Sequence, residues 1–178
     1  MSLREAAKKH EAKLKKIKVL AFDLDGILTD AHVWWASEEV GFNRNFNIYD
    51  GYGMKVLMKA GFKVGVITGG NSVSVVKRTE QLGVSFCYAG NEDKREAFLD
   101  LMKKYNVAAD EILYMGDELF DMPLLRKAGF SATVPNTSDE VKEICDYVTI
   151  RESGRGCARE VIDLVRYAHG IVPVNEDF

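Results

Sequence analysis

The chain reads as short apolar runs alternating with longer amphipathic stretches. The first run, Val19-Leu20-Ala21-Phe22, is apolar throughout and stops at Asp23. A continuous run of this kind, ended by turn chemistry, is the pattern of a strand buried on both faces. From Asp50-Gly51 onward the alternation is regular. A helix opens there with Asp50 as its N-cap and carries Met54, Val56, Leu57 and Met58 on its apolar side. Further strands are predicted over residues 62–67, 84–88, 112–115, 131–134 and 148–150. Helices are predicted over residues 71–82, closed by Gly83, and over 94–105, 119–127, 138–145 and 157–169. Strands alternating with helices in this way form βαβ units and a parallel sheet covered on both faces. The fold class is therefore α/β, a doubly wound parallel sheet.

Two stretches depart from the alternation. Residues 1–16 form a charged helical lead-in with few large apolar residues, its lysines interspersed with Glu5 and Glu11, as on a solvated helix face. Residues 31–48 read as a hairpin inserted after the first strand. His32 to Ala36 is β-rich, Ser37 to Gly41 supplies the turn, and Phe42 to Ile48 alternates apolar with polar. Trp34 and Trp35 are adjacent and so face opposite sides. One of them needs cover from beyond the hairpin's own core face, from an oligomer partner or from the domain body. The tail, residues 171–178, is too short and polar for a further element. With no linker or repeat, residues 1–178 are expected to form a single domain.

Charge and composition narrow the partners. A net charge of -3 gives no electrostatic reason for nucleic acid or an anionic membrane. No apolar run approaches the ~18 residues of a membrane span, and the first residues carry no signal-peptide core. Cys87, Cys145 and Cys157 are scattered, odd in number and form no CxxC, so free thiols in a reducing cytoplasm are expected. His10, His32 and His169 are equally dispersed and give a zinc site little support.

Four predicted strand ends carry polar residues suited to phosphate. Asp23 and Asp25 stand at i, i+2 with Gly26 permitting an abrupt exit. The carboxyl end of a buried parallel strand is where open α/β sheets bind ligands. Their mutual repulsion calls for a cation or a shared proton between them. Thr68, followed by Gly69-Gly70-Asn71-Ser72 at a helix start, offers either an anion cradle or a simple βα turn. Lys94 follows the third strand. Asp117 and Asp121 lie at i, i+4, hence on one side of a helical turn. They serve there as helix-dipole partners or as hard oxygen ligands for Mg²⁺. Taken together, these groups describe a carboxylate that attacks phosphorus, a cation that neutralises the phosphate, a Lys and a Thr that hold its oxygens, and a second acid that manages protons.

The order DxDGIxTD, apolar-Thr-Gly, Lys and GDExxD resembles the haloacid dehalogenase phosphatase superfamily over about residues 17–145. Three features narrow the resemblance to the small capless phosphatases of 3-deoxy-D-manno-octulosonate 8-phosphate, whose scaffold the nonulosonate 9-phosphate phosphatases share. They are the short hairpin in place of a cap, the segment Asn47 to Lys55, and the segment Ser153 to Glu160. The resemblance implies Asp23 as nucleophile, Asp25 as general acid/base, and Thr68 and Lys94 as phosphoryl ligands, with Asp121 supporting Lys94 or the metal shell. It implies Mg²⁺ held by Asp23, the backbone carbonyl of Asp25, and Asp117. Asp25, Asn47, Asp50, Gly51, Lys55, Gly69, Arg78 and Lys94 match positions that contact substrate. It also implies a homo-oligomer, a tetramer in which hairpins associate and a neighbour covers the open site. One departure bears on the sugar: Gly70 and Asn71 stand where many octulosonate enzymes place an arginine.

Other readings account for less of the pattern. A two-component receiver domain also clusters Asp, Thr and Lys on a doubly wound sheet, but its phosphoacceptor ends a mid-chain strand and it has no place for the hairpin. A catalytically silent scaffold of this fold would be expected to have lost Asp23, Asp25 or Lys94. A phosphatase of nucleotides or proteins would use the same core motifs.

Overall fold

The computed structural model describes residues 1–173. Helices α1 (Leu3–Lys9) and α2 (Glu11–Leu14) lead into strand β1 (Val19–Phe22). The hairpin follows as β2 (Trp34–Ser37) and β3 (Gly41–Asn43), then α3 (Ile48–Lys59), β4 (Lys63–Thr68), α4 (Val73–Leu82), β5 (Phe86–Ala89) and α5 (Arg95–Tyr105). The second half runs β6 (Ile112–Met115), α6 (Met122–Lys127), β7 (Phe130–Thr133), α7 (Asp139–Glu143), β8 (Tyr147–Val148) and α8 (Cys157–His169). The sheet order is β5-β4-β1-β6-β7-β8, with every neighbouring pair parallel.

All four residues of β1 are buried. Leu20 and Phe22 face the core shared by α1, α2, α3, α4 and α8, whereas Val19 and Ala21 face the core under α5, α6 and α7. That period of two sends successive side chains to opposite layers. The chain builds outward from β1 through β4 to β5, then crosses to the other side to lay down β6, β7 and β8. The reversal sets a switch point at β1, and open α/β sheets bind ligands in the crevice outside the strand ends at such a point.

Some expectations are corrected. The N-cap of α3 is Asn47, whose Oδ1 accepts the Tyr49 N–H at 2.9 Å. Asp50 therefore falls within the first turn, where it is buried and accepts the Arg159 N–H at 2.7 Å. The lead-in is not simply a solvated face, because Ala6, Ala7 and Leu14 are buried against the core that α8 completes. The helix predicted from residue 119 begins as a 3-10 turn, Leu119–Asp121. Pro123 has no N–H to close an α-helical bond to Leu119, so the regular helix starts later. The hairpin forms as predicted, with Trp35 edge-on to Phe42 at 5.4 Å between centroids. Trp34, Trp35 and Phe42 are all exposed. Cys87, Cys145 and Cys157 are free thiols. Residues 171–173 form no regular element, and the rest of the predicted tail lies outside the described residues. Among the described residues, no helix is long and apolar enough to cross a membrane.

Candidate active site

Asp23 is the residue at which β1 runs out. Its N–H still bonds the Met115 carbonyl at 2.8 Å, so the backbone is fixed by β6 while the side chain clears the strand end. The carboxylate is buried, and Lys94 Nζ reaches it at 2.8 Å. Lys94 caps the start of α5 and its side chain has no exposed surface. The same ammonium donates to Asp121 at 2.7 Å and to the Tyr114 hydroxyl at 3.3 Å, and Phe120 lies 4.7 Å beneath it. A buried lysine is tolerable only when its charge is paired and its donors are used, and both conditions hold here.

Asp121 is fully engaged. Its Oδ1 accepts from Lys94 and from Tyr114 Oη at 2.5 Å, and its Oδ2 accepts the N–H groups of Asp117 and Glu118, each at 3.1 Å. This explains the i, i+4 spacing differently from a shared ligand face: Asp121 ties the loop after β6 to Lys94. Gly116 is needed beneath it, since a Cβ there would collide with the Asp121 carboxyl.

Asp117 has a different environment. Its Oδ1 is buried with no hydrogen-bond partner. Gly26, at φ +89°, packs against this carboxylate so closely that any Cβ would overlap it. Thr137 Oγ1 donates to the Asp117 carbonyl and holds the loop from the β7 side. Burial, with the neighbouring charges of Asp23 and Asp121, pushes the Asp117 carboxyl up to about 8. Burial also leads for Asp23, where the Asp121 charge adds to it and Lys94 opposes it, leaving that carboxyl at about 7.

Oxygens of Asp23, Asp117 and Asp121 lie within 4.8 Å of one another. Three carboxylates share one ammonium, which leaves a formal charge of -2 (3 × -1 and +1) in a buried site. An orphaned buried oxygen, a carboxylate cluster of hard donors and a charge deficit of two fit a hard divalent cation. With Asp121 saturated, Asp23 and Asp117 are the side chains with capacity to hold it.

Thr68 ends β4 and is buried, and its Oγ1 accepts the Gly70 N–H at 3.1 Å. A Cβ at Gly69 would rest 3.1 Å from Glu92, and one at Gly70 would rest 3.4 Å from an Asp25 oxygen. Asp25 itself is half-buried at the cleft mouth. Arg44 grips it with both arms of the guanidinium, Nε to Oδ1 at 2.5 Å and Nη2 to Oδ2 at 2.8 Å, and Thr29 Oγ1 adds a bond at 3.3 Å.

The structure thus brings Asp23, Asp117, Asp121, Lys94, Thr68 and Asp25 to one end of the sheet. The remaining predicted contacts make their bonds elsewhere. Asn47 Nδ2 donates to the Gly154 carbonyl, and Arg78 donates to the Asn47 carbonyl at 3.3 Å while lying over Phe46. Asp50 is buried beside α8, and burial raises its carboxyl to about 6. Gly51 abuts Arg78, and Lys55 is exposed on α3. Sequence reasoning missed Arg44 and Tyr114. Arg44 could have been found from the hairpin alternation, which sets it on the same face as Phe42 and Phe46. Tyr114 sits in an apolar run, ILYM, and gave no signal.

A doubly wound sheet with an aspartate cluster at the carboxyl ends of β1 and β6 is the arrangement that the resemblance to haloacid dehalogenase-type hydrolases leads one to expect. The sequence model of haloacid dehalogenase-like hydrolases matches residues 86–161. The chain is 36% identical over 161 residues to 3-deoxy-D-manno-octulosonate 8-phosphate phosphatase of Escherichia coli K12, an alignment covering 89% of this chain and 84% of that protein. It superposes with a TM-score of 0.85 on the Moraxella catarrhalis enzyme of that name, solved with magnesium ion, phosphate ion and KDO. That match has 36% identity and covers 90% of this chain and 92% of the other. The Yersinia pestis enzyme of that name superposes with a TM-score of 0.86 at 30% identity, covering 90% and 86% of the two chains. The chain belongs to the haloacid dehalogenase-like hydrolases, in the phosphomonoesterase family of the 3-deoxy-D-manno-octulosonate 8-phosphate phosphatases.

Proposed function

We propose that this enzyme hydrolyses a phosphorylated 3-deoxy-2-keto sugar acid, with 3-deoxy-D-manno-octulosonate 8-phosphate the preferred substrate, through an aspartyl-phosphate on Asp23. The observation that carries the reading is the Asp23 carboxylate itself, aligned by Lys94 at the end of the central strand, with an oxygen of Asp117 within 4.8 Å of it. The side chains of Asp23 and Asp117 and the backbone carbonyl of Asp25 hold Mg²⁺. When bound, it neutralises the substrate phosphate and polarises its oxygens.

The chain's own groups then divide the chemistry. Lys94 and Thr68 bind the phosphoryl oxygens, and Asp121 with Tyr114 keeps the Lys94 ammonium aimed. One Asp23 oxygen attacks phosphorus, the ester P–O bond breaks, and the leaving oxygen takes a proton from Asp25. A water then attacks the aspartyl-phosphate and gives its proton to Asp25. The Asp23–phosphorus bond breaks, and inorganic phosphate leaves with the carboxylate restored.

The exposed Trp34, Trp35 and Phe42 support association of hairpins in a homo-oligomer, for which we propose a tetramer. Within it Asn47, Asp50, Gly51, Lys55, Gly69 and Arg78 contact or support the sugar. We further propose that residues 1–178 are a single domain working in the cytoplasm, in keeping with three free thiols. A nonulosonate 9-phosphate is the second reading, favoured by Gly70 where many octulosonate enzymes carry arginine. A phosphatase screen over phosphosugars tests both. The highest kcat/KM is expected for the octulosonate 8-phosphate, a nonulosonate optimum would replace the sugar, and turnover confined to nucleotides or phosphopeptides would refute the class.

A further inference from the structure

The most unusual contact near the site is one that the catalytic scheme does not use. Arg44 leaves the end of the hairpin and forms a fork-on-fork pair with Asp25, at 2.5 and 2.8 Å. Its Nη1 also donates to Ser72 Oγ at 2.7 Å, and its side chain is only 8% exposed. Both oxygens of Asp25 are therefore committed to the guanidinium, and Oδ1 additionally to Thr29. Oδ1 thus has both lone pairs taken, and Oδ2, which keeps one, is turned to the guanidinium rather than to a leaving group.

Ser72 is on the wall of a cleft of about 430 Å³ between the hairpin turn and the loop after β4. Glu39, Phe42, Arg44, Gly70, Asn71 and Ser72 line it. Arg44 thus joins two places, the proton-handling carboxylate on one side and a sugar-sized cleft on the other. Gly70 makes room for it, since a Cβ there would sit 3.1 Å from Nη2. A planar guanidinium is selective for carboxylates because its paired N–H groups match their two oxygens.

We propose that Arg44 is the specificity residue of this enzyme and acts by exchanging carboxylates. The carboxylate of the sugar acid takes the guanidinium from Asp25, which is thereby freed to hold the proton that it passes to the ester oxygen and later regains from the attacking water. The substrate removes the block by offering the same chemical group that maintains it. A phosphate ester without a carboxylate leaves the pair closed. This rests on the reading of Asp25 as the acid/base and of a sugar acid as substrate.

The test is steady-state kinetics of wild type and Arg44→Ala on 3-deoxy-D-manno-octulosonate 8-phosphate and on glucose 6-phosphate, which has the phosphate without the carboxylate. Arg44→Gln, close in length, is run alongside as a second uncharged variant. Hydrogen bonds to charged groups contribute about 1.5–3 kcal/mol, so kcat/KM for the sugar acid should fall on the order of 10–100-fold. That for glucose 6-phosphate should rise, which also establishes that the variants fold. Equal losses on both substrates would assign Arg44 to the phosphoryl group or to simple support of Asp25 and overturn the exchange. No change on either would overturn it as well. A wild type that does not prefer the sugar acid would instead overturn the substrate reading, and the exchange with it.

Discussion

Replacing Lys94 by methionine separates the energetic role of the buried ammonium from its bulk. The side chain keeps its length and loses its charge, in a place where Lys94 and Asp121 have no exposed side-chain surface and Asp23 has 3%. Removing one member of a buried ion pair costs about 3–5 kcal/mol, because the remaining charge is left uncompensated. Asp121 keeps Tyr114 and two backbone N–H donors, so the loss falls chiefly on Asp23 and belongs at the lower end, about 3 kcal/mol. The deficit should depend on pH. The Asp23 carboxyl is already held up at about 7 with Lys94 opposing the shift, and without Lys94 it rises further. A carboxyl whose folded-state pKa is raised retains a proton that the unfolded chain has released. Its contribution is therefore favourable at low pH and is lost as pH rises through the folded value. The gap between wild type and Lys94→Met should accordingly be smallest near pH ~5 and open above pH ~7 by at most about 1.4 kcal/mol for each pH unit, so that it is wider near pH ~8. Urea denaturation in EDTA at those two values reads it directly. A difference below about 1 kcal/mol at both, the size of an ordinary exposed pair, would refute the buried-pair account.

Gly26→Ala should displace the Asp117 carboxylate and weaken Mg²⁺ on the order of 10–100-fold, read as the Mg²⁺ dependence of activity; an unchanged dependence would exclude Asp117 as ligand. Chelation should abolish turnover and Mg²⁺ restore it. In the metal-free enzyme, stability should fall as pH rises towards about 7 and about 8, because Asp23 and Asp117 are held protonated, and Mg²⁺ should flatten that slope in thermal melts. Polar replacement of Trp34 together with Phe42 should lower both the mass seen by light scattering and the specific activity, and an unaltered, fully active oligomer would remove the hairpin from the interface.

Much of this was readable because the informative residues are local. The β1 run ends in Asp23 whatever surrounds it, and a strand buried on both faces leaves a plain apolar signature. The helix ends at Gly83 and the hairpin turn were likewise fixed by neighbouring residues. What escaped depended on partners distant in sequence. Asp50 carries a typical capping side chain, yet Asn47 took that position, and the backbone of Arg159 gave Asp50 its bond instead. Residues 1–16 looked solvated because the apolar surface that buries Leu14 belongs to the core completed by α8. Asp121 was ambiguous between metal and Lys94 until its four donors were counted. Arg44 went unremarked because the alternation that groups it with Phe42 and Phe46 says nothing of Asp25, which only the fold brings against it.

The central claim is that Asp23 carries the phosphoryl group. Quenching the enzyme during turnover of 3-deoxy-D-manno-octulosonate 8-phosphate and reducing it with borohydride converts an aspartyl-phosphate to homoserine, which peptide mass spectrometry locates. The account predicts homoserine at position 23, dependent on substrate and absent from Asp23→Asn. Reduction at another carboxylate, or continued turnover by well-folded Asp23→Asn, would contradict it.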